Sequence, residues 1–340
     1  MKKNVVVLGM GGTIAGRSSS TGDNVGYKAG AVEVADLLAA ISSLPEVMGA
    51  VSLVVDQVAK IDSKDLDDAH WLALAQRVEH YLSQPDVISV VITHGTDTLE
   101  ETAYFLSCVL SQQALIAKPV VLTCAMRPAT ALAPDGPQNV LDAMAVALHP
   151  GALGVLVVCA GAIHSADHVQ KTHPYRVDAF DSGEAGPLGY VEEGLVRLVN
   201  AWPSTVLSSD DASNQYVFNS LPLPEVPWPR VEIVFSHAGA CGAMVDAICR
   251  SQLTARPLRG IVVAGTGNGT IHQDLEAALQ RALAQGISVV RSTRCAYGAV
   301  VSTNAPRANA IAASHLSPVK ARVQMVLDLM CGVKFKKPMP

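Results

Sequence analysis

Asn4-Val5-Val6-Val7-Leu8-Gly9-Met10-Gly11-Gly12-Thr13-Ile14-Ala15-Gly16 is an apolar run that breaks into a glycine-rich turn bearing one hydroxyl. Val5 to Leu8 show no polar alternation. That pattern reads as a strand covered on both faces, as in a parallel sheet. A second unit of the same kind is Val90-Val91-Ile92-Thr93-His94-Gly95-Thr96-Asp97-Thr98-Leu99-Glu100-Glu101-Thr102. Val/Ile-rich runs recur at 4–8, 51–55, 87–93, 119–123, 153–159, 231–235, 260–264 and 287–291. Helical patterns fill the gaps at 69–82, 99–111, 138–148, 240–250 and 273–284. Strand, turn, helix, strand is the rhythm of right-handed parallel crossovers, so the expected class is α/β, doubly wound.

The segment Leu221-Pro222-Leu223-Pro224-Glu225-Val226-Pro227-Trp228-Pro229 interrupts this rhythm with four prolines. Proline blocks helix and central strand alike, so the segment reads as a linker. Two unequal α/β domains are expected, each with a mainly parallel sheet flanked by helices. The first covers 1–205, the Pro-rich linker covers 206–229, and the smaller C-terminal domain covers 230–335. A chain of 340 residues has room for both. Aromatics are only 4%, so the core must be built from aliphatics.

The formal net charge is -5 and no long basic run occurs, which argues against nucleic acid or an anionic membrane as the partner. No stretch reads as a membrane span. Met1-Lys2-Lys3 leads straight into the first strand, without the pattern of a signal peptide. The 7 cysteines are scattered and form no Cys-x-x-Cys pair, which suits a reducing compartment. A cytoplasmic location is therefore expected. A periplasmic one stays open if a leader has been removed.

In open parallel sheets, ligands bind beyond the carboxyl ends of the strands. The turns at Thr13, Thr96-Asp97, Ala125-Met126-Arg127 and Gly161-Ala162-Ile163-His164 all follow strand runs and would meet at that edge. The first turn does not fit a dinucleotide. Gly9 and Gly11 match the fingerprint, but its third glycine is replaced by Ile14. No Gly-Lys-Ser/Thr is present for a phosphate loop. Hydroxyl chemistry remains. Threonine attacks only if a neighbour takes its proton, and Lys171 with Asp97 as partner is a workable shuttle. The plainer alternative makes Lys171 a solvated surface lysine in a polar loop. Asp97 or Thr98 would then cap the helix that begins near Leu99. His164 and His168 stand at metal-pair spacing, but they lie in an apparent loop and lack a third ligand. His94 reads as a satisfied structural histidine.

Gly11-Gly12-Thr13-Ile14-Ala15-Gly16 and Thr93-His94-Gly95-Thr96-Asp97-Thr98-Leu99-Glu100-Glu101-Thr102-Ala103 closely resemble the two signature segments of the bacterial L-asparaginase family. The resemblance continues in order through Ala125-Met126-Arg127-Pro128, Asp135-Gly136-Pro137, Val169-Gln170-Lys171-Thr172, Gly186-Pro187-Leu188-Gly189-Tyr190, Gly265-Thr266-Gly267-Asn268-Gly269 and Val290-Arg291-Ser292-Thr293-Arg294. It implies an amidohydrolase in which Thr13 attacks the side-chain amide of asparagine to form an acyl-enzyme. Tyr27 would assist Thr13 from a mobile loop, while Thr96, Asp97 and Lys171 would position or activate the attacking group. The implied substrate-binding set is Gly12, Ser63, Lys64, Gly95, Thr96, Asp97, Ala125 and Asn268. Backbone N–H groups near Thr96 and Ala125 would face the oxyanion. No metal or organic cofactor is implied. The family forms homotetramers, dimers of dimers, whose sites are completed across subunit interfaces.

Two departures bear on the substrate. Where the family carries Ser-Gln-Asp, this chain reads Ser63-Lys64-Asp65, which adds a cation that should repel a substrate ammonium unless an acid balances it. The stretch from Gly298 to Pro306 has no carboxylate where the family usually supplies a glutamate, and Arg307 follows it. Asparagine is the first expectation. An ω-amide of modified or conjugated asparagine or glutamine, or another dicarboxylate monoamide, is the second. A non-catalytic asparaginase-like binding protein is the third.

Overall fold

In the structure, a computed structural model, the opening apolar run becomes β1, Asn4–Gly11, buried along nearly its whole length. It has a neighbour on each side. β2, Ser52–Ile61, pairs with it in parallel through Val7↔Val55, and β3, Val87–Thr93, through Val7↔Val91. A strand with partners on both edges and helices on both faces has no wet side, which explains its missing alternation. β4, Val120–Thr123, and β5, Val155–Cys159, extend the parallel array beyond β3. Three antiparallel strands follow: β6, Ala162–Ser165, β7, Gly189–Glu192, and β8, Leu195–Leu198. The sheet order is β8-β7-β6-β5-β4-β3-β1-β2. The structure describes residues 2–203, 227–250, 256–301 and 311–332.

That order places the functional edge. From β1 the chain crosses one way to β2, then back over to β3 on the other side. The reversal opens a crevice beyond the carboxyl ends of β1 and β3, where open α/β sheets bind their ligands. The turn after β1 carries Thr13 and the turn after β3 carries Thr96.

The helices cover the faces by simple spacing. Asp68–Leu82 begins where the Asp67 side chain accepts the His70 N–H at 3.0 Å. It buries Trp71, Leu74, Ala75, Val78 and Leu82, one stripe at i, i+3, i+4, i+7 and i+11. Trp71 stacks on Phe105 of the Leu99–Val109 helix with ring centroids 5.0 Å apart. On the opposite face, Gly136–Leu148 packs Val140, Ala143, Met144 and Ala147 into a cluster with Val5, Val7, Val91 and Val121.

The chain divides into two units, Met1–Phe218 and Asn219–Pro340. The second holds a fully parallel sheet of β9, Arg230–Phe235, β10, Leu258–Gly265, β11, Ser288–Thr293, and β12, Ala312–Ala313, in that order. Its helices include Ala243–Arg250, Gln273–Ala284 and Pro318–Met330. Both sheets are thus mainly or wholly parallel, as the sequence suggests. The linker expected over 206–229 lies, apart from 227–229, outside the described residues. No helix among the described residues is long and apolar enough to cross a membrane.

Two local expectations are corrected. The segment from His164 to His168 is only partly a loop, since His164 and Ser165 lie within β6 and residues 166–168 form the turn after it. Lys171 is not in an irregular polar loop either. Gln170–Lys171 pairs antiparallel with Phe180–Asp181 in a two-stranded ribbon.

Candidate active site

The site is built where two glycine turns touch. Gly12 sits at φ 78°, a backbone region that side chains rarely enter. A Cβ there would lie 2.2 Å from the Gly95 Cα, and a Cβ on Gly95 would lie 2.5 Å from Ser63 Oγ. The ends of β1, β3 and β2 therefore close on one another with no room for a methyl group. Gly12 N–H donates to the Ile61 carbonyl at 2.8 Å, and the Gly12 carbonyl accepts from Gly30 N–H at 3.1 Å. The first turn is thus bonded on both sides.

Thr13 opens the short helical turn Thr13–Ala15 and is only 6% exposed. Its Oγ1 lies 2.6 Å from Tyr27 Oη. Tyr27 reaches it from a ribbon in which Tyr27–Lys28 pairs with Arg17–Ser18. Burial pushes the Tyr27 phenol above its ordinary pKa, with the Asp62 and Asp97 carboxylates adding to the rise. The bond to Thr13 and the Lys64 cation oppose it. At neutral pH Tyr27 is therefore a neutral phenol, not a preformed base. It can accept the Thr13 proton only while passing on its own.

The second turn supplies a charged set. Lys171 Nζ donates to Thr96 Oγ1 at 2.8 Å and to Asp97 Oδ1 at 2.6 Å. The Lys171 side chain is 17% exposed, so the solvated-surface alternative fails. The capping alternative fails too. The Leu99–Val109 helix has Thr98 at its N-cap with no side-chain cap bond, because Thr98 Oγ1 donates to the Ser63 carbonyl at 2.9 Å. Ser63 Oγ in turn accepts the Asp97 N–H at 3.2 Å. Ser63 is 3% exposed and ties β2's end to the second turn.

Lys64 points outward and is met by two acids. Its Nζ donates to Asp65 Oδ2 at 2.6 Å and lies 3.1 Å from Asp62 Oδ2. The Asp65 bond first, and Asp62 second, hold the ammonium above its ordinary pKa. Lys64 is thus a cation with its charge balanced locally, which answers the repulsion anticipated from sequence.

Ala125 is fully buried just past β4. Its loop is fixed by Asp135, whose carboxylate accepts Met126 N–H and Arg127 N–H, both at 2.9 Å. Asn139 braces the same region, donating to the Cys124 carbonyl and accepting Ala160 N–H, both at 2.9 Å. Asn139 and Glu100 were not singled out from the sequence. Glu100 accepts the Lys171 N–H at 2.6 Å and so seats the lysine's own strand. Its position in the second signature was the available signal, but a carboxylate in a helix's first turn already has a local explanation.

Asn268 belongs to the second unit. Its carboxamide donates to the Val301 carbonyl at 3.0 Å and accepts Val301 N–H at 2.7 Å. Both ends of the amide are thereby engaged with local backbone. The region read as lacking a glutamate lies, beyond Val301, outside the described residues. His164 and His168 turn to separate serines, Nδ1 of His164 to Ser182 Oγ at 2.8 Å and Nδ1 of His168 to Ser165 Oγ at 3.0 Å. Among the described residues no group of three His, Cys, Asp or Glu is arranged to hold a metal ion.

Comparison with known proteins gives the same outline. Residues 4–204 match the Asparaginase, N-terminal family, and residues 230–337 match the Glutaminase/Asparaginase C-terminal domain family. The chain is 36% identical over 330 residues to L-asparaginase 2 of Bacillus subtilis (strain 168), covering 96% of this chain and 82% of that protein. It is 34% identical over 332 residues to the glutaminase-asparaginase of Pseudomonas fluorescens biotype A, covering 96% and 86%. Among solved structures, the probable cytoplasmic L-asparaginase of Campylobacter jejuni superposes with a TM-score of 0.82 at 35% identity, covering 96% of this chain and 95% of that one.

Proposed function

The chain belongs to the asparaginase family, and from that membership we propose a mechanism in which Thr13 is the nucleophile. The protein is an amidohydrolase that converts L-asparagine to L-aspartate and ammonia. In the first half-reaction, Thr13 Oγ1 bonds to the side-chain amide carbon and the carbon–nitrogen bond breaks. The Thr13 proton moves toward Tyr27 Oη, 2.6 Å away, as the phenol gives up its own toward the departing nitrogen. Ammonia leaves and an aspartyl ester remains on Thr13. In the second half-reaction water adds to the ester carbonyl, aspartate departs and the hydroxyl is restored. Lys171, held by Asp97, keeps Thr96 Oγ1 oriented to guide the amide and then the water.

The observation that carries this reading is the contact of Gly12 with Gly95. It brings a tyrosine-bonded threonine and a lysine-bonded threonine to one crevice of the sheet. Gly12, Ser63, Gly95, Asp97 and Ala125 form the substrate wall in the first unit, with Lys64 at its exposed margin. A homotetramer and a cytoplasmic location complete the proposal. Sedimentation giving a monomer's mass, or fractionation outside the cytoplasm, would contradict them.

The test is ammonia release from L-asparagine. Wild type should turn over, and Thr13→Ala should lose at least about a thousandfold in kcat. A Thr13→Ala enzyme that releases ammonia at the wild-type rate would remove Thr13 from the chemistry.

A further inference from the structure

Beneath the Gly95–Thr96 turn lies a row of three buried side chains with no role in the steps above. Trp71 Nε1 lies 2.9 Å from Thr102 Oγ1, and Thr102 Oγ1 lies 3.0 Å from His94 Nε2. His94 Nδ1 lies 2.7 Å from the Gly95 carbonyl oxygen. Trp71 is 4% exposed, and Thr102 and His94 are fully buried.

The direction of each bond follows from chemistry alone. An indole N–H can only donate, so Thr102 Oγ1 accepts there. The Gly95 carbonyl can only accept, so the one proton of the neutral His94 ring sits on Nδ1 and is donated to it. His94 Nε2 is therefore the bare, accepting nitrogen, and the Thr102 hydroxyl donates to it. Burial also keeps the imidazole neutral, lowering its pKa to about 4.

The carbonyl so held belongs to the peptide that ends in the Thr96 N–H. That peptide is trans, as no cis bond occurs among the described residues. Carbonyl and N–H of a trans peptide point in opposite directions. With the Gly95 oxygen turned to His94, the Thr96 N–H faces away from the imidazole. No acceptor among the described residues receives it, although Thr96 is only 4% exposed. Buried amide protons are rarely left free, so an acceptor that arrives from outside is the natural partner.

We infer that Trp71, Thr102 and His94 form a positioning relay. It locks the Gly95–Thr96 peptide with its N–H offered to the carbonyl oxygen of the bound amide. None of the three touches substrate. They act by fixing one peptide plane before charge develops on that oxygen. The inference rests on the acyl-transfer reading given above.

Kinetics of relay variants, with the His94 tautomer read by 15N NMR, test it. Thr102→Val removes the hydroxyl at nearly constant shape and should lower kcat by about tenfold to a hundredfold with KM within about twofold. Thr102→Ser restores the hydroxyl and should restore kcat. His94→Asn keeps an N–H near the Nδ1 position and should retain more activity than His94→Gln. Wild-type His94 should carry its proton on Nδ1. A folded Thr102→Val enzyme with wild-type kcat would overturn the relay, as would equal losses in Thr102→Ser and Thr102→Val. A proton on Nε2 would overturn it as well, and needs no variant to fold. The underlying reading fails separately: Thr13→Ala would then keep its activity, whatever the Thr102 variants do.

Discussion

At the scale of single residues, Lys64 shows how charge must be counted by neighbourhood. The sequence puts a cation at position 64 that should repel a substrate ammonium unless an acid balances it. The structure adds Asp65 at 2.6 Å and Asp62 at 3.1 Å, so the local sum is negative. Asp62 also raises the Tyr27 pKa across the site, which puts it within electrostatic reach of Thr13's partner. A substrate's free α-ammonium therefore meets no net positive charge at this position. Exposed pairs of this kind contribute little, so Lys64→Gln should change KM for L-asparagine by no more than about fivefold and leave kcat near wild type. Steady-state kinetics of that variant decide the point. A loss of more than a hundredfold would mean that Lys64 itself grips the substrate. Position 64 was legible as unusual, but its clamp was not. Asp62 and Asp65 flank it in sequence, yet only side-chain geometry turns both toward it.

At the scale of elements, the strands and the long helices were the legible part. Asn4–Gly11 and Val87–Thr93 have no polar alternation because each has helices on both faces, and that pattern is visible in the residues themselves. The antiparallel strands Ala162–Ser165, Gly189–Glu192 and Leu195–Leu198 were less visible. They are four residues each, and the last is mostly exposed, so burial leaves little pattern on them. The Tyr27 ribbon is two residues long on each side and owes its shape to pairing across a loop. The glycine turns are legible as turns, but their mutual contact depends on two strands far apart in sequence. That contact gives a prediction. In Gly12→Ala the new methyl would meet backbone at 2.2 Å, at a φ already unfavourable to it. The variant should lose activity and melt lower by several degrees, reflecting a destabilisation of about 2 kcal/mol or more. Thermal unfolding and ammonia release with wild-type values would contradict the packing described for the two turns.

At the scale of the whole molecule, strand order ties the two signatures together. They lie about eighty residues apart in the chain, and each alone fits several chemistries. The reversal between β1 and β3 sets Thr13 and Thr96 at one crevice, each with its own hydrogen-bonded partner. The second unit repeats the parallel theme in a four-stranded sheet. The central claim is a covalent ester on Thr13. It is tested most directly by acid-quenching the enzyme during turnover of L-asparagine and mapping the modified peptide by mass spectrometry. The account predicts one aspartyl group on the peptide containing Thr13, absent in Thr13→Ala. An aspartyl group on Thr96 with Thr13 unmodified would contradict it.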